Sequence, residues 1–492
     1  MPYVLGIDVG SQSVKGLLLD PDGRPCGSAA HPLSLRHPQG GWAEQDPIDW
    51  DTAVGAVVAG ALAAAGVTAT EVGALCLACQ VDGVVAVGAD GTALGPAIIW
   101  LDRRAEDQAA RLAETVGAAE LFETTGLVPD ASHTGPKLMW LHDHEPELFA
   151  RASAFLPASG YLLGRLTGEV AIDHANASSS LLYDLRTRAW SRPLLQAAGV
   201  DASRLGEIRE STDVVGHVTK SAAQRYGLAT TCQVLVGTGD EHAASVGAGA
   251  VTPGVITDVT GTAEAVTISS DGVVLDHGGL VETHAHAIPG RYLVENPGFV
   301  SGGSTKWLAD EVLRVTQSAV FESAARSTAG AGGVLFLPAL SGAMTPRWNG
   351  RMRGAFAGLD LSHSSDDLCR AVLEGCCYGL RDVLERFATM GLGESEVRVV
   401  GGGAASAVWM QIKADVSGRP VRGVLVDEAT ALGAAMLAGV AVGTFASFSD
   451  AADRAVALAP EPFTPEPANA RLYDEAYGRY CRLFDEVESV TT

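Results

Sequence analysis

The chain is poor in positive charge. Its 492 residues hold 34 Lys and Arg against 58 Asp and Glu, a formal charge of −24. Nucleic-acid affinity rests largely on Lys and Arg neutralising phosphates, so a nucleic-acid partner is excluded. A small anionic ligand is not, because backbone N–H groups and a metal ion can hold one. Long apolar runs are also missing. The stretch AVGAVVAGALAAA (53–65) is short and rich in Ala and Gly, which suits a packed helix, and no membrane partner is expected. The eight cysteines show no zinc-binding spacing. Cys76 and Cys79 form a C-x-x-C inside the apolar run ALCLAC, where small core residues are the plain reading. A chain of this size needs no disulfide staples, so a reducing, cytoplasmic setting is expected. The opening MPYVLGID has no basic segment, and no secretory leader is expected. No G-x-x-x-x-G-K-[ST] occurs, and Gly401-Gly402-Gly403 is not a G-x-G-x-x-G, so neither the P-loop nor the Rossmann pattern applies.

Apolar residues make up 47% of the chain, enough for a large core, and the length suggests two to four domains. Glycine is in excess at 58 residues, about 12% against an ordinary ~7%. Several of these glycines sit at predicted turns. Residues 3–7 and Val14–Leu19 read as strands joined by Asp8-Val9-Gly10-Ser11-Gln12-Ser13. Helices are predicted over 49–65, 104–117 and 137–150, the last ending in a short helix around Glu145–Ala150, and strands over 72–78 and 84–87. In the second half, strands Val255–Val259 and Ala265–Ser269 flank Thr260-Gly261-Thr262. Gly10 and Gly261 thus mark two similar hairpins half a chain apart, a weak sign of duplication into two facing α/β halves. Strand Val397–Val400, Gly401–Gly403 and a helix over Ala404–Val416 make a third glycine turn, and helices are predicted over 429–440 and 471–487. Glycine at such tips lets the backbone approach a ligand, and successive N–H groups form an anion-binding concavity. Each turn alone is ordinary. Together they favour nucleotide phosphates held in a two-lobed clamp.

GIDVGSQSVK (6–15) resembles the first phosphate loop of the actin/Hsp70/sugar-kinase superfamily. The whole chain is similar to the FGGY carbohydrate kinases, especially their xylulose kinase branch. The stretches GGWAEQDPIDW (40–50), CQVDGVV (79–85), PAIIWLDRRA (96–105), ASHTGPKLMWL (131–141), GTGDEHAASVGAG (237–249), DVTGTAEAV (258–266), SGGSTKWL (301–308) and VVGGGAASAVWMQIKADVSGRPV (399–421) carry the likeness. It implies an α/β fold of two ribonuclease H-like (actin-like ATPase) domains facing across a cleft. Residues 1–249 would hold the sugar site, first phosphate loop and catalytic aspartate, and residues 250–492 the second phosphate loop and adenosine site.

Asp240, in G-T-G-D, would on residue type alone be a helix N-cap; the resemblance makes it the general base that accepts the sugar hydroxyl's proton. Asp8 would lie near Mg²⁺, with Asp240 as a second carboxylate. Gly10, Ser11, Ser13 and Lys15 on one side, and Thr260, Gly261 and Thr262 on the other, would cradle the phosphates of ATP. Gly302, Gly303, Trp307, Gly401, Gly402, Gly403 and Ser406 would line the nucleotide site. Substrate contacts would come from Gln80, Val81, Asp82, Gly83, Trp100, Asp102, Arg103, Asp240 and Glu241. Asp82 departs from the branch, which reads Gln-Met-His-Gly there. His can donate to a sugar oxygen whereas ionised Asp only accepts, so D-xylulose competes with another ketopentose or a polyol. The implied reaction is ATP-dependent phosphorylation of a sugar hydroxyl. A non-catalytic actin-like scaffold is the alternative of another class, and a homodimer is left open.

Overall fold

The computed structural model describes residues 2–393 and 396–491. Its first sheet is built on β1 (Tyr3–Val9), β2 (Ser13–Leu19) and β3 (Pro25–Pro32), an antiparallel meander. On the other side of β1 lie, in parallel, β4 (Val72–Cys79) and then β6 (Gln233–Leu235), with β5 (Val214–His217) antiparallel at the edge. The short β7 (Thr238–Gly239) also runs parallel beside β4. The second sheet has the order β10 (Glu282–Ala285), β11 (Tyr292–Val300), β9 (Ala263–Ser270), β8 (Ile256–Thr260), β12 (Val397–Gly401), β13 (Val421–Gly423). In each sheet the first hairpin strand lies between its antiparallel partner and a parallel strand from far along the chain. The duplication suggested by Gly10 and Gly261 is therefore a repeated topology.

Local sequence explains the elements. Helix α1 (Pro47–Ala65) starts at Asp46, whose side chain accepts from Ile48 N at 3.0 Å, and ends at Gly66 in the left-handed region. It has the length and composition of a membrane-crossing helix, but buries Trp50, Val54, Val57, Val58 and Ala61 against Leu5, Ile7 and Val9. Alternation along β1 sends Val4 to the opposite face, where it meets α5 (Ala429–Ala441), a helix from the second half of the sequence. α5 also crosses α2 (Asp240–Gly247). A Cβ on Gly433 would lie 1.8 Å from the carbonyl oxygen of Ala243, and one on Gly247 1.8 Å from that of Ala429. Only glycine permits this backbone approach between the halves. In the second sheet, α3 (Ser365–Thr389) and α4 (Ala407–Ser417) cover the face carrying Ile256, Val397 and Val399.

The predicted helix over 137–150 is two helices, Thr134–His144 and Pro146–Arg151, divided just before Pro146. The helix predicted from Ala404 begins at Ala407, because Gly402–Ala405 form a 3₁₀ turn and Ser406 caps α4 by accepting from Trp409 N. All eight cysteines are free. Cys76 and Cys79 belong to different core clusters on either side of β4, so they are packing residues.

Candidate active site

The carboxyl ends of β1, β4 and β7 meet at one edge of the first sheet. Asp8 pairs with Ala78 and Ala78 with Thr238, so Asp8 near the end of β1 and Asp240 just after β7 flank β4, with Gln80–Gly83 leaving β4 between them. Asp240 is the first residue of α2. Its Oδ1 accepts from Glu241 N at 3.0 Å, but the N-cap is Gly239, so Asp240 stands in the first turn and is not the cap that its residue type suggests. Burial raises its pKa to about 6 against these backbone bonds, and Glu295 and Asp82 add to the rise. Asp8 is likewise pushed up by burial and then by Asp240. Two carboxylates this close, one raised by the other, suit a hard cation, which takes carboxylate and water oxygens. Among the described residues no group of three ligating side chains gathers, and Mg²⁺ is commonly held by one or two carboxylates with phosphate and water oxygens.

The second half gathers the nucleotide residues. Gly261 N bonds Ala263 O at 2.9 Å to close the hairpin tip, leaving Gly261 and Thr262 exposed. Gly302 N bonds Gly261 O at 3.1 Å and Gly303 N bonds Thr262 O at 2.9 Å. A Cβ on Gly403 would lie 2.6 Å from the Thr260 side chain, so three glycine loops close on one point. Beneath them lies a fully buried ion triad. Lys413 on α4 donates to Asp258 Oδ2 and to Glu264 Oε1, each at 2.6 Å. Thr260 Oγ1 donates to Asp258 Oδ1 at 2.8 Å, and Ser301, next to Gly302, donates to Glu264 Oε2. The triad thus ties all three loops to one lysine. Burial and then Asp258 push Glu264 up to about 7 despite Lys413, while the two carboxylates hold Lys413 charged against burial. Asp258, Glu264 and Lys413 all lie in stretches that carry the family likeness, but the likeness gives them no role of their own.

Several expected contacts are engaged elsewhere. Lys15 forms an ion pair with Glu428 at 2.9 Å, joining the first phosphate loop to the residue before α5. Asp102 is fully buried and accepts from Ala43 N at 2.6 Å and from Arg104, so it orders Arg104 instead of facing the cleft. Arg104 in turn stacks 3.6 Å over Trp42. Arg103 grips Asp130 at 2.6 and 2.8 Å and Glu106 at 3.2 Å. Trp307 stacks on Phe336 with ring centroids 6.4 Å apart, as part of the core. Trp100 is 40% exposed. Gln80 is buried and donates to Gln45 Oε1 at 2.6 Å, and Gln45 donates to Ser11 O at 2.8 Å, linking the acceptor loop to the first phosphate loop.

Asp82 has φ 60, a conformation uncommon outside glycine and asparagine or aspartate. It is held there by Lys137, which donates to its carbonyl at 2.6 Å, and by His133, 3.4 Å from its carboxylate. Asp173 accepts from Thr238 Oγ1 at 2.9 Å, bracing the strand that delivers Asp240. Only the tertiary structure identifies these supports.

Paired sheets of repeated topology, with carboxylates at the strand ends of one and glycine loops at those of the other, define the actin-like ATPase/sugar-kinase class. The sequence comparisons go further. Residues 3–247 match the N-terminal domain of the FGGY family of carbohydrate kinases and residues 257–442 its C-terminal domain. The chain belongs to this family and is a carbohydrate kinase, a family that uses ATP as phosphate donor. It is 28% identical to a xylulose kinase of Bacillus subtilis over 493 residues, covering 100% of this chain and 98% of that one. It is 32% identical to a glycerol kinase of Thermococcus kodakarensis over 480 residues, covering 96% and 95%. The crystal structure of xylulose kinase from Rhodospirillum rubrum superposes with a TM-score of 0.91 at 29% identity, covering 99% of both chains.

Proposed function

We propose that this kinase transfers the terminal phosphoryl group of ATP to a hydroxyl of D-xylulose, forming D-xylulose 5-phosphate, with Asp240 as general base. The observation that carries the reading is the place of Asp240: the first residue of α2, at the cleft, beside Asp8 and the Gln80–Gly83 loop. A carboxylate lifted to about 6 is ionised at neutral pH yet more basic than an ordinary aspartate, which suits it to take the hydroxyl proton. With the Gly261 N–H spent on closing its own tip, the exposed backbone at Thr262 and Gly402 would hold the phosphates, and Gly302 and Gly303 would back them. Asp8 and Asp240 would hold Mg²⁺, which when bound supplies charge neutralisation on the transferring phosphoryl group. Two lobes over the substrates exclude water that would compete with the sugar hydroxyl. Residues 1–249 form the acceptor half and 250–492 the nucleotide half in this reading, and the eight free thiols are compatible with a cytoplasmic setting.

A second reading, a polyol or another pentulose as acceptor, is favoured by Asp82, which accepts hydroxyl protons where a histidine would donate. The test is coupled ADP release over pentuloses, tetritols, pentitols and glycerol. Highest kcat/KM on D-xylulose supports the first reading, highest kcat/KM on an alditol or another pentulose supports the second, and acceptor-independent hydrolysis sinks both.

A further inference from the structure

The acceptor loop does not end at the first half of the chain. Glu282 and Glu295 sit directly opposite each other on β10 and β11, and His284 follows two residues on, on the same face. Like charges so paired destabilise a sheet, and all three side chains are buried. They are joined to the acceptor side by a continuous chain of alternating carboxylates and imidazoles. His133 lies 3.4 Å from Asp82 and 3.7 Å from Glu282, and Val128 N donates to Glu282 at 2.8 Å. His284 lies 4.0 Å from Glu282 and 3.1 Å from Glu295, and the charge of Glu295 acts on Glu241, next to Asp240. The second half therefore reaches both Asp82 and the residue beside the base.

The chain is left with unmet hydrogen-bonding capacity. Glu295 Oε2, His284 Nδ1 and Gln80 Oε1 are buried without a hydrogen-bond partner, in a fold where such atoms are normally paired. Burial would keep both histidines neutral, but Asp82 and Glu282 raise His133, and Glu295 and Glu282 raise His284. Burial likewise opposes the ionisation of Glu295, but His284 carries it down to about 2. Three carboxylates (Asp82, Glu282 and Glu295) surround two imidazoles, with Asp240 and Asp8 close by.

We propose that Glu282, His284 and Glu295 form the far wall of the acceptor site, and that this acidic wall selects an uncharged polyhydroxyl acceptor and rejects sugar acids. Hydroxyls remote from the reacting one would donate to Glu295 and accept from His284. A carboxylate on the acceptor would be placed among carboxylates in a site of low dielectric. The inference rests on the kinase reading above.

The test compares neutral alditols and ketoses with aldonates of equal carbon number, by acceptor-dependent ADP release and by calorimetric binding. The wild-type chain should prefer the neutral member by about a hundredfold or more in kcat/KM, as expected where a site would leave an ion unpaired. Glu295→Gln and Glu282→Gln should raise the acceptor KM about tenfold, narrow that preference and leave the KM for ATP unchanged. An aldonate used as well as its neutral partner by the wild-type chain overturns the proposal, and needs no variant to fold. So does an unchanged acceptor KM in both folded variants, confirmed by circular dichroism. Acceptor-independent ATP hydrolysis overturns the kinase reading instead, which keeps the two failures distinct.

Discussion

Superposed on their tip glycines, Gly10 and Gly261, the two hairpins carry their carboxylates on opposite faces. Asp8 falls on Val259 and Ile7 falls on Asp258. Asp8 is half-buried on the face that meets the cleft, next to Asp240, while Ile7 packs under α1. In the second hairpin the order is reversed: Val259 takes the cleft face, and fully buried Asp258 is neutralised by Lys413. One residue of alternation separates a carboxylate available to a cation and a proton from one that anchors three loops. The strands alongside repeat the contrast. β4 leads into Gln80–Gly83, which is rich in side-chain polar groups, and β12 leads into Gly402-Gly403, which offers only backbone. One topology thus presents side-chain carboxylates from its first copy and glycine loops from its second.

The largest test of this division is Asp240→Asn. It should lower kcat by about 10²–10⁴-fold with the KM for ATP nearly unchanged, since general base catalysis is worth that order; normal turnover would remove the first copy's role. Lys413→Met should act on the other copy. It strands two buried carboxylates, so a loss of about 3–5 kcal/mol is expected in denaturant unfolding, with ATP binding weakened before acceptor binding. The mirror pair sharpens the contrast further. Asp8→Asn should reduce kcat while the melting temperature holds or rises, because its carboxylate is raised by burial and by Asp240. Asp258→Asn should instead lower the melting temperature. If both variants behaved alike, the two faces would not differ as described. Gly433→Ala places a Cβ 1.8 Å from the Ala243 carbonyl and should cost about 1–3 kcal/mol by overpacking the contact between the halves. The smallest effect is on pH. Asp240 acts as the ionised base, so acceptor kcat/KM should fall as pH drops through about 6, by about tenfold per unit below it. A flat profile to pH 5 would show that another group takes the proton.

Much of the fold was legible because its signals are local. Apolar alternation and a glycine tip mark both hairpins, Asp46-Pro47 and Gly66 bound α1, and Asp240 follows a glycine at a helix start. The short helix expected around Glu145–Ala150 at the end of 137–150 is there as Pro146–Arg151, opened by its proline. Glu282, His284 and Glu295 carried no signal, because a charged residue in a strand reads as solvent-facing until a neighbouring lobe is known to cover it. Asp102 and Arg103 show a related limit: motif membership says a residue is needed, and only the structure shows Asp102 bonded to Ala43 and Arg104, and Arg103 to Asp130 and Glu106.

The sequence by itself determined the family and the two-lobed α/β class, and it pointed to the glycine loops and to Asp240, since each depends on residue type at short spacing. The tertiary structure alone decided what lies across the cleft. α5 returns to pack on the first sheet, Lys413 reaches carboxylates 155 and 149 residues away, and Glu282 and Glu295 reach the acceptor loop. Those pairings depend on how two sheets face one another, and burial then makes each unpaired charge costly enough to fix its partner.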